Sequence, residues 1–272
     1  MGPNKGTRGR MSILTIDTST RVGSLSIWLS SEQTVDWIGD RALTHGERLP
    51  GDIANVLERG NIRLEDIEMF GVGIGPGSFT GLRVGIATVQ GLAVAQGRKV
   101  VPVPTLDAVV AARMMEKVMT LSASPKACVS GETTCTVAWM DGQRGHVFAG
   151  FYTAEPRALG VVRPRCIDGP RVGYPADVLD ALIKTLASYD ACVSLEVVGS
   201  AVERDKELLL SRLAAVTEAL YIASGESVLA PVMGRLVAAG QYEAVTPEKL
   251  QPLYVRAPDA VLARDRRVNR DE

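Results

Sequence analysis

Apolar residues recur along this chain with two periods, and the changes of period mark out its elements. Ile13 to Asp17 is a short apolar run ending in a carboxylate, which predicts a buried strand. A turn over Thr18, Ser19 and Thr20 follows. From Val22 to Leu29 the pattern alternates, with Leu25, Ile27 and Leu29 on one face and Ser24, Ser26 and Trp28 on the other. Thr34 to Ile38 completes a three-stranded meander. Leu49, Ile53, Val56 and Leu57 then fall at helical spacing and predict a helix from about Arg48 to Arg59. Its start has two readings. Thr44-x-x-Glu47 fits a capping box, whereas Pro50 fits the first turn of a later start. Beyond it, Met69–Ile74 predicts a strand, Phe79–Gln96 a long helix, Lys99–Val103 a strand and Leu106 to about Lys117 a helix.

The second half repeats this order loosely. Thr134–Met140 and His146–Tyr152 read as a hairpin over the turn Asp141 to Gly145, with Val161–Ile167 as a third strand. Ala176–Ser188, Glu203–Leu213 and Glu226–Gly240 read as helices, Leu195–Val198 and Ala219–Ala223 as strands. Two facing β-β-β-α-β-α lobes describe the two-lobed α/β fold of the actin/chaperone/sugar-kinase-like ATPases. A single doubly wound sheet accommodates the antiparallel meanders poorly. The first lobe is expected over 12–104 and the second over 105–224, with 225–256 returning to the first. Residues 1–11 read as a disordered leader, with Met1 and Met11 both possible starts. Residues 257–272, rich in both Arg and Asp, read as a weakly ordered tail.

Composition narrows the chemistry. Of 272 residues, 46% are hydrophobic and 22% charged, a globular balance, and the net charge of −1 provides no long-range field for nucleic acid. No apolar run reaches the roughly 18 residues of a membrane span. Cys128, Cys135, Cys166 and Cys192 form no CxxC pair, so reduced thiols and a cytoplasmic location are expected. With His45 and His146 the only histidines, an HExxH protease is excluded.

The most informative stretch is FGVGIGPGSFTGLRVG, Phe70 to Gly85, a strand, a tight turn and a helix. Ser78 is a good helix N-cap, and the helix start offers N–H groups to an anion. The P-loop pattern fails for want of a Lys, and GxGxxG fails because Gly75-x-Gly77 is followed by Phe79-Thr80-Gly81. A structural turn and a phosphate cradle therefore both stand. IDTST (Ile16–Thr20), HGERLP (His45–Pro50), GPGSFTGLRVG (Gly75–Gly85) and PLYVR (Pro252–Arg256), in that order, resemble the bacterial TsaB (YeaZ) family. The hairpin Asp141–Phe148 is similar to that family's DARxxEVY segment but departs at Gly142, Gln143 and His146.

The resemblance implies a non-catalytic paralogue of TsaD, the subunit that places threonylcarbamoyl on adenosine 37 of tRNAs reading A-starting codons. It implies a TsaD-like partner, a TsaE-like ATPase, a homodimer in isolation, tRNA contact only through the complex, and no membrane. Where TsaD carries a metal-binding HxxxH, this chain has Thr105 and Val109, leaving Asp107 alone, too few ligands for a catalytic metal. The nucleotide segment of TsaD is reduced to Val198–Val202, and its late Asp-Asn pair to Ser224–Ser227. No catalytic residue, no metal and no cofactor of its own are thus expected, with ATP or ADP at an interface with the partner. Asp17, Ser19, Thr20, Gly75, Gly77 and Ser78 are the candidate nucleotide contacts. Asp17 has two readings, a Mg²⁺ organiser or an Asx turn holding Ser19 or Thr20. His45 is expected to cap or to sit at an interface. The helix Phe79–Gln96 is apolar nearly all round, which predicts burial or docking. Leu49, Ile53, Val56, Leu57, Leu82, Ile86, Val89 and Ala93 are the candidate partner interface. An autonomous ATPase or small-molecule kinase of the same fold is the alternative function. A peptidase has no nucleophile–base pair to support it.

Overall fold

The computed structural model describes residues 11–121, 134–156, 162–189, 194–217, 219–224 and 228–255. Calls on residues 1–10, the tail 257–272, Arg256, Cys128, Cys192 and Gly225–Ser227 lie outside these.

Two five-stranded sheets form the body. In chain order the first half reads β1 (Ile13–Asp17), β2 (Ser24–Ser30), β3 (Gln33–Ile38), α1 (His45–Gly60), β4 (Met69–Gly75), α2 (Phe79–Gln96), β5 (Val100–Pro104) and α3 (Thr105–Leu121). The second reads β6 (Thr134–Asp141), β7 (Val147–Pro156), β8 (Val162–Gly173), α4 (Pro175–Ala187), β9 (Ser194–Gly199), α5 (Lys206–Leu213), β10 (Leu220–Ser224) and α6 (Ala230–Ala238). The strand orders, β3-β2-β1-β4-β5 and β8-β7-β6-β9-β10, are the same topology twice. Antiparallel meanders are followed by parallel additions at β4 and β9. This is the two-lobed fold of the actin-like ATPases.

The last helix of each half crosses over. α3 lies mainly on β6 and β8 of the second sheet, whereas α6 lies on β1, β2 and β4 of the first. One apolar core therefore runs from Val101 and Val103 of β5 through α3 and α6 to Met140, Phe148 and Tyr152 of the second sheet. Separate cores fill the outer side of each sheet. α1 and α2 cover the first, α4 and α5 the second.

Local chemistry explains the termini around the first sheet. The Thr44 side chain accepts from the Glu47 amide and Glu47 reaches back to the Thr44 amide, so the capping box sets the start of α1. Pro50 therefore sits in the second turn, where it forfeits one helix bond. α2 begins with the Ser78 hydroxyl on the Gly81 amide at 3.2 Å and ends at Gly97 in the left-handed region. β8 runs on to Gly173, well past the Ile167 expected from sequence. As an edge strand it tolerates Pro164 and Pro170, and its pairing with β7 shifts register near Phe151.

Candidate functional site

The motif residues converge at the carboxyl ends of β1 and β4. Asp17 closes β1, and its Oδ1 accepts from the Ser19 amide at 3.0 Å and the Ser19 hydroxyl at 2.6 Å, an Asx-type turn. Burial pushes the Asp17 carboxyl above its ordinary value, against the two Ser19 bonds. Oδ2 of Asp17 and Oγ1 of Thr18 have no hydrogen-bond partner among the described residues.

Two helices then clamp the loop Asp17–Gly23. From α1, His45 Nε2 bonds the Thr20 carbonyl at 2.8 Å, and Arg48 donates to the Val22 carbonyl and to His45 Nδ1. A carbonyl can only accept, so Nε2 carries the proton and Nδ1 accepts from the guanidinium. Both ring nitrogens are thereby engaged in holding the loop. Arg48 also pairs with Asp52, which accepts from the Trp37 indole at 2.9 Å. From α2, the Ser78 amide donates to the Ser19 carbonyl at 2.8 Å. Gly81 and Gly85, one turn apart, let the helix lie directly on the loop. A Cβ at Gly81 would stand 2.2 Å from the Thr18 carbonyl, and one at Gly85 2.1 Å from Thr18 Oγ1.

The last motif closes the arrangement. The Leu253 amide donates to the Ile74 carbonyl at 2.8 Å, and Arg83 Nε donates to the Tyr254 hydroxyl at 2.9 Å. The Arg83 guanidinium lies 4.0 Å over the Phe79 ring. Gln90 of α2 bonds the carbonyls of Pro247 and Leu250, which fastens the returning segment along the helix.

Asp17, Ser19, Gly77 and Ser78 are thus brought together, while Thr20 is turned to His45 and Gly75 lies against Leu253. Ser19 bonds Asp17 Oδ1 and the Ser78 amide, Asp17 Oδ2 stays unpartnered among the described residues, and a Cβ at Gly77 would stand 2.6 Å from the Ser19 carbonyl. Elsewhere, Thr105 and Val109 are buried, Asp107 bonds Tyr242, and Gly199 packs on the Trp139 backbone. Among the described residues no three His, Cys, Asp or Glu gather as metal ligands, and no helix is long and apolar enough to cross a membrane. His146 lies tilted against Tyr174, with ring centroids 4.5 Å apart.

The proposed interface needs correcting. Leu49, Ile53, Val56, Ile86, Val89 and Ala93 are buried in the first lobe's own core, Leu57 packs half-buried against it, and Leu82 is buried as well. They cover the sheet; they do not face outward. The exposed positions of α1 include Glu47, Pro50, Gly51, Ala54, Asn55, Glu58 and Arg59, and those of α2 include Arg83, Ala87, Gly91, Val94 and Ala95. Sequence reasoning also missed Arg48, Asp52 and Thr18. The spacing of Gly81 and Gly85 on one helix face was the signal for the close approach.

Residues 41–154 match the family model TsaD, described as tRNA N6-adenosine threonylcarbamoyltransferase. The tRNA threonylcarbamoyladenosine biosynthesis protein TsaB of Haemophilus influenzae is 34% identical over 99 residues, 36% of this chain and 41% of that protein. TsaB of Escherichia coli is 36% identical over 97 residues, 35% of this chain and 41% of that protein. Over about a third of its length the chain is similar to TsaB proteins. It spans about two-fifths of the length of these curated relatives, 41% of each. A solved Pseudomonas aeruginosa protein, described as uncharacterized with similarity to peptidase YEAZ, shares the fold. Its TM-score is 0.64 at 22% identity, over 90% of this chain and 100% of that one. The motifs that mark the TsaB resemblance are therefore, in this chain, mutual contacts around the loop Asp17–Gly23.

His45 makes this clamp pH-dependent. Burial pushes the imidazole below its ordinary value of 6.5, Arg48 adds to this, and the Thr20 and Asp52 contacts oppose it. The unfolded chain takes up the proton first. The stabilisation is therefore complete above about 6.5 and is lost as pH falls through the lower folded value. Asp17 and Asp107, both raised, have the opposite sign and gain as pH falls. The difference between wild type and His45→Gln isolates the histidine. Melting curves from pH 7.5 to 5 should converge toward low pH; parallel curves would sink the assignment.

Proposed function

We propose that the chain acts in tRNA threonylcarbamoyladenosine biosynthesis as a non-catalytic scaffold. A TsaD-like transferase requires it to modify adenosine 37 of tRNAs reading A-starting codons. A TsaE-like ATPase joins the two, tRNA is met only through the complex, and the chain pairs with itself when the partner is absent. It has no cofactor of its own; ATP or ADP belongs to the interface with the partner. One observation carries this reading. The motif residues are engaged with one another, and their joint effect is to mount α1 and α2 on the first sheet with small outward side chains, Ala54, Ala87 and Gly91. Small residues let a partner helix approach closely.

The autonomous ATPase keeps one point in its favour, the unpartnered Asp17 Oδ2. The isolated chain, supplied with Mg·ATP, is expected to turn over well below about 1 s⁻¹, a low ordinary enzyme rate. The same chain should co-purify with a TsaD-like protein and restore tRNA threonylcarbamoylation in its presence. Faster turnover that disappears in Asp17→Asn would establish the ATPase reading instead.

A further inference from the structure

The three apolar cores are built of different side chains. Every methionine with a described side chain, Met11, Met69, Met114, Met115, Met140 and Met233, packs in the core between the two sheets. Among the described residues the two outer cores hold none; they are filled by branched aliphatics, alanines and rings. Branched and ring side chains have few rotamers and specify one packing. Methionine is unbranched, turns about three bonds and refills a space that changes shape.

The two helices of the middle core are each tied by polar groups to a different sheet. In α6, the Ala230 amide donates to Ser24 Oγ on β2 at 3.0 Å, and its carbonyl accepts from Thr15 Oγ1 on β1 at 2.7 Å. The helix is thereby fixed to the first sheet. In α3, Arg113 Nε and Lys117 Nζ reach the Glu196 carboxylate on β9 at 2.7 and 2.6 Å, and only 1% of that side chain is exposed. The later turns of α3 are thereby fixed to the second sheet. Its first turn stays with the first sheet, because Asp107 accepts from the Tyr242 hydroxyl at 2.9 Å and Val245, three residues on, pairs with Val100 of β5. α3 and α6 touch each other inside the middle core, to which Met114 and Met115 of α3 and Met233 of α6 contribute.

We propose that the contact between α3 and α6 is a shear plane, on which the two lobes change their mutual angle while each keeps its own shape. Apolar contact carries little directional penalty, so sliding along it costs less than breaking the ion pairs and hydrogen bonds that hold each helix to its sheet. Shear motions of this kind are small displacements of packed helices, and flexible side chains let the same surface stay filled in more than one register. The first turn of α3, held beside β5, is the pivot. Glu196 makes the far end of α3 follow the second sheet.

The test is relaxation dispersion on the full chain, with the methionine methyls and the Ile, Leu and Val methyls labelled with carbon-13. Met114, Met115, Met140 and Met233, together with Val109 and Leu236 of the same core, should show exchange on the microsecond-to-millisecond scale with one shared rate. Methyls of the outer cores, such as Ile53, Val56, Leu179 and Leu209, should not. Replacing Met114, Met115 and Met233 together by leucine conserves volume and stiffens the contact. The exchange at Met140, Val109 and Leu236 should then be lost, with far-ultraviolet circular dichroism unchanged. Methyls in the middle core as quiet as those outside it overturn the proposal. So does equal exchange in all three cores, which reports opening of the whole molecule, and so does exchange that survives the leucines. If the triple variant fails to fold, Met233→Leu alone decides, by whether exchange across α3 and α6 falls or stays at the wild-type level.

Discussion

Alanine at Gly81 and alanine at Gly91, ten residues apart on one helix, will shift stability in opposite directions. At Gly81 the new methyl would stand 2.2 Å from the backbone oxygen of Thr18, which belongs to a buried turn and is fixed by the Ser19–Asp17 bonds next to it. Neither side can yield without moving a strand end or a helix. Overpacking of this kind costs about 1–3 kcal/mol, occasionally more. With a melting shift of about 2–4 °C per kcal/mol for a chain near this size, the loss should be roughly 2–12 °C. Gly85→Ala should behave similarly, since its methyl meets Thr18 Oγ1 at 2.1 Å. At Gly91 nothing lies within 4 Å of the new atom. There the only change is the backbone freedom that alanine removes from the unfolded chain, a gain of about 0.5–1 kcal/mol in a helix interior. Calorimetry of the three variants checks this. If Gly81→Ala melted with the wild type, α2 would not lie on the loop, and the space between them would be open to a phosphate.

The first sheet was largely legible because its signals are local. β1, β4 and α2 follow from period, glycine turn and cap to within a residue or so. The start of α1 was ambiguous because Thr44 and Pro50 are both N-terminal signals, and the reciprocal Thr44–Glu47 bonds decide it. β8 was cut short because Asp168-Gly169-Pro170 carries turn chemistry, and only its place at a sheet edge lets the strand continue through it. The crossing of α3 and α6 between lobes has no local signature. The candidate interface failed for a more specific reason. Apolar periodicity marks the side of a helix that is buried; it says nothing of what buries it. On α2 the outward face carries, besides Arg83, Ala87, Gly91 and Val94, which count as apolar in a pattern, so most of both faces reads alike. The contacts among the motifs, such as Arg83 with Tyr254 and His45 with Thr20, join segments far apart in sequence. Residue identity singles these positions out without giving their roles.

The two faces of α2 can be separated by charge. Val89 is fully buried against the first sheet, so Val89→Arg places an unpaired cation in an apolar core. An uncompensated buried charge typically costs about 3–5 kcal/mol, a large part of the stability of a domain. The variant should be unfolded at 37 °C or melt at least about 6 °C below the wild type, and any loss of association would be secondary. Ala87 is exposed on the opposite face. Ala87→Arg should melt within about a degree of the wild type, since surface changes stay within about 0.5 kcal/mol. If that face docks on a second copy or on a TsaD-like partner, the same arginine sits in a closely packed helix contact. It should then weaken association by orders of magnitude, at tenfold for every 1.4 kcal/mol. Light scattering and a pull-down with the partner, read beside a thermal melt, separate the two effects. Unaltered self-association and partner capture by folded Ala87→Arg, together with Ala54→Arg on α1, would place the docking surface away from both helices. Loss of both in a fully folded protein would place it on them.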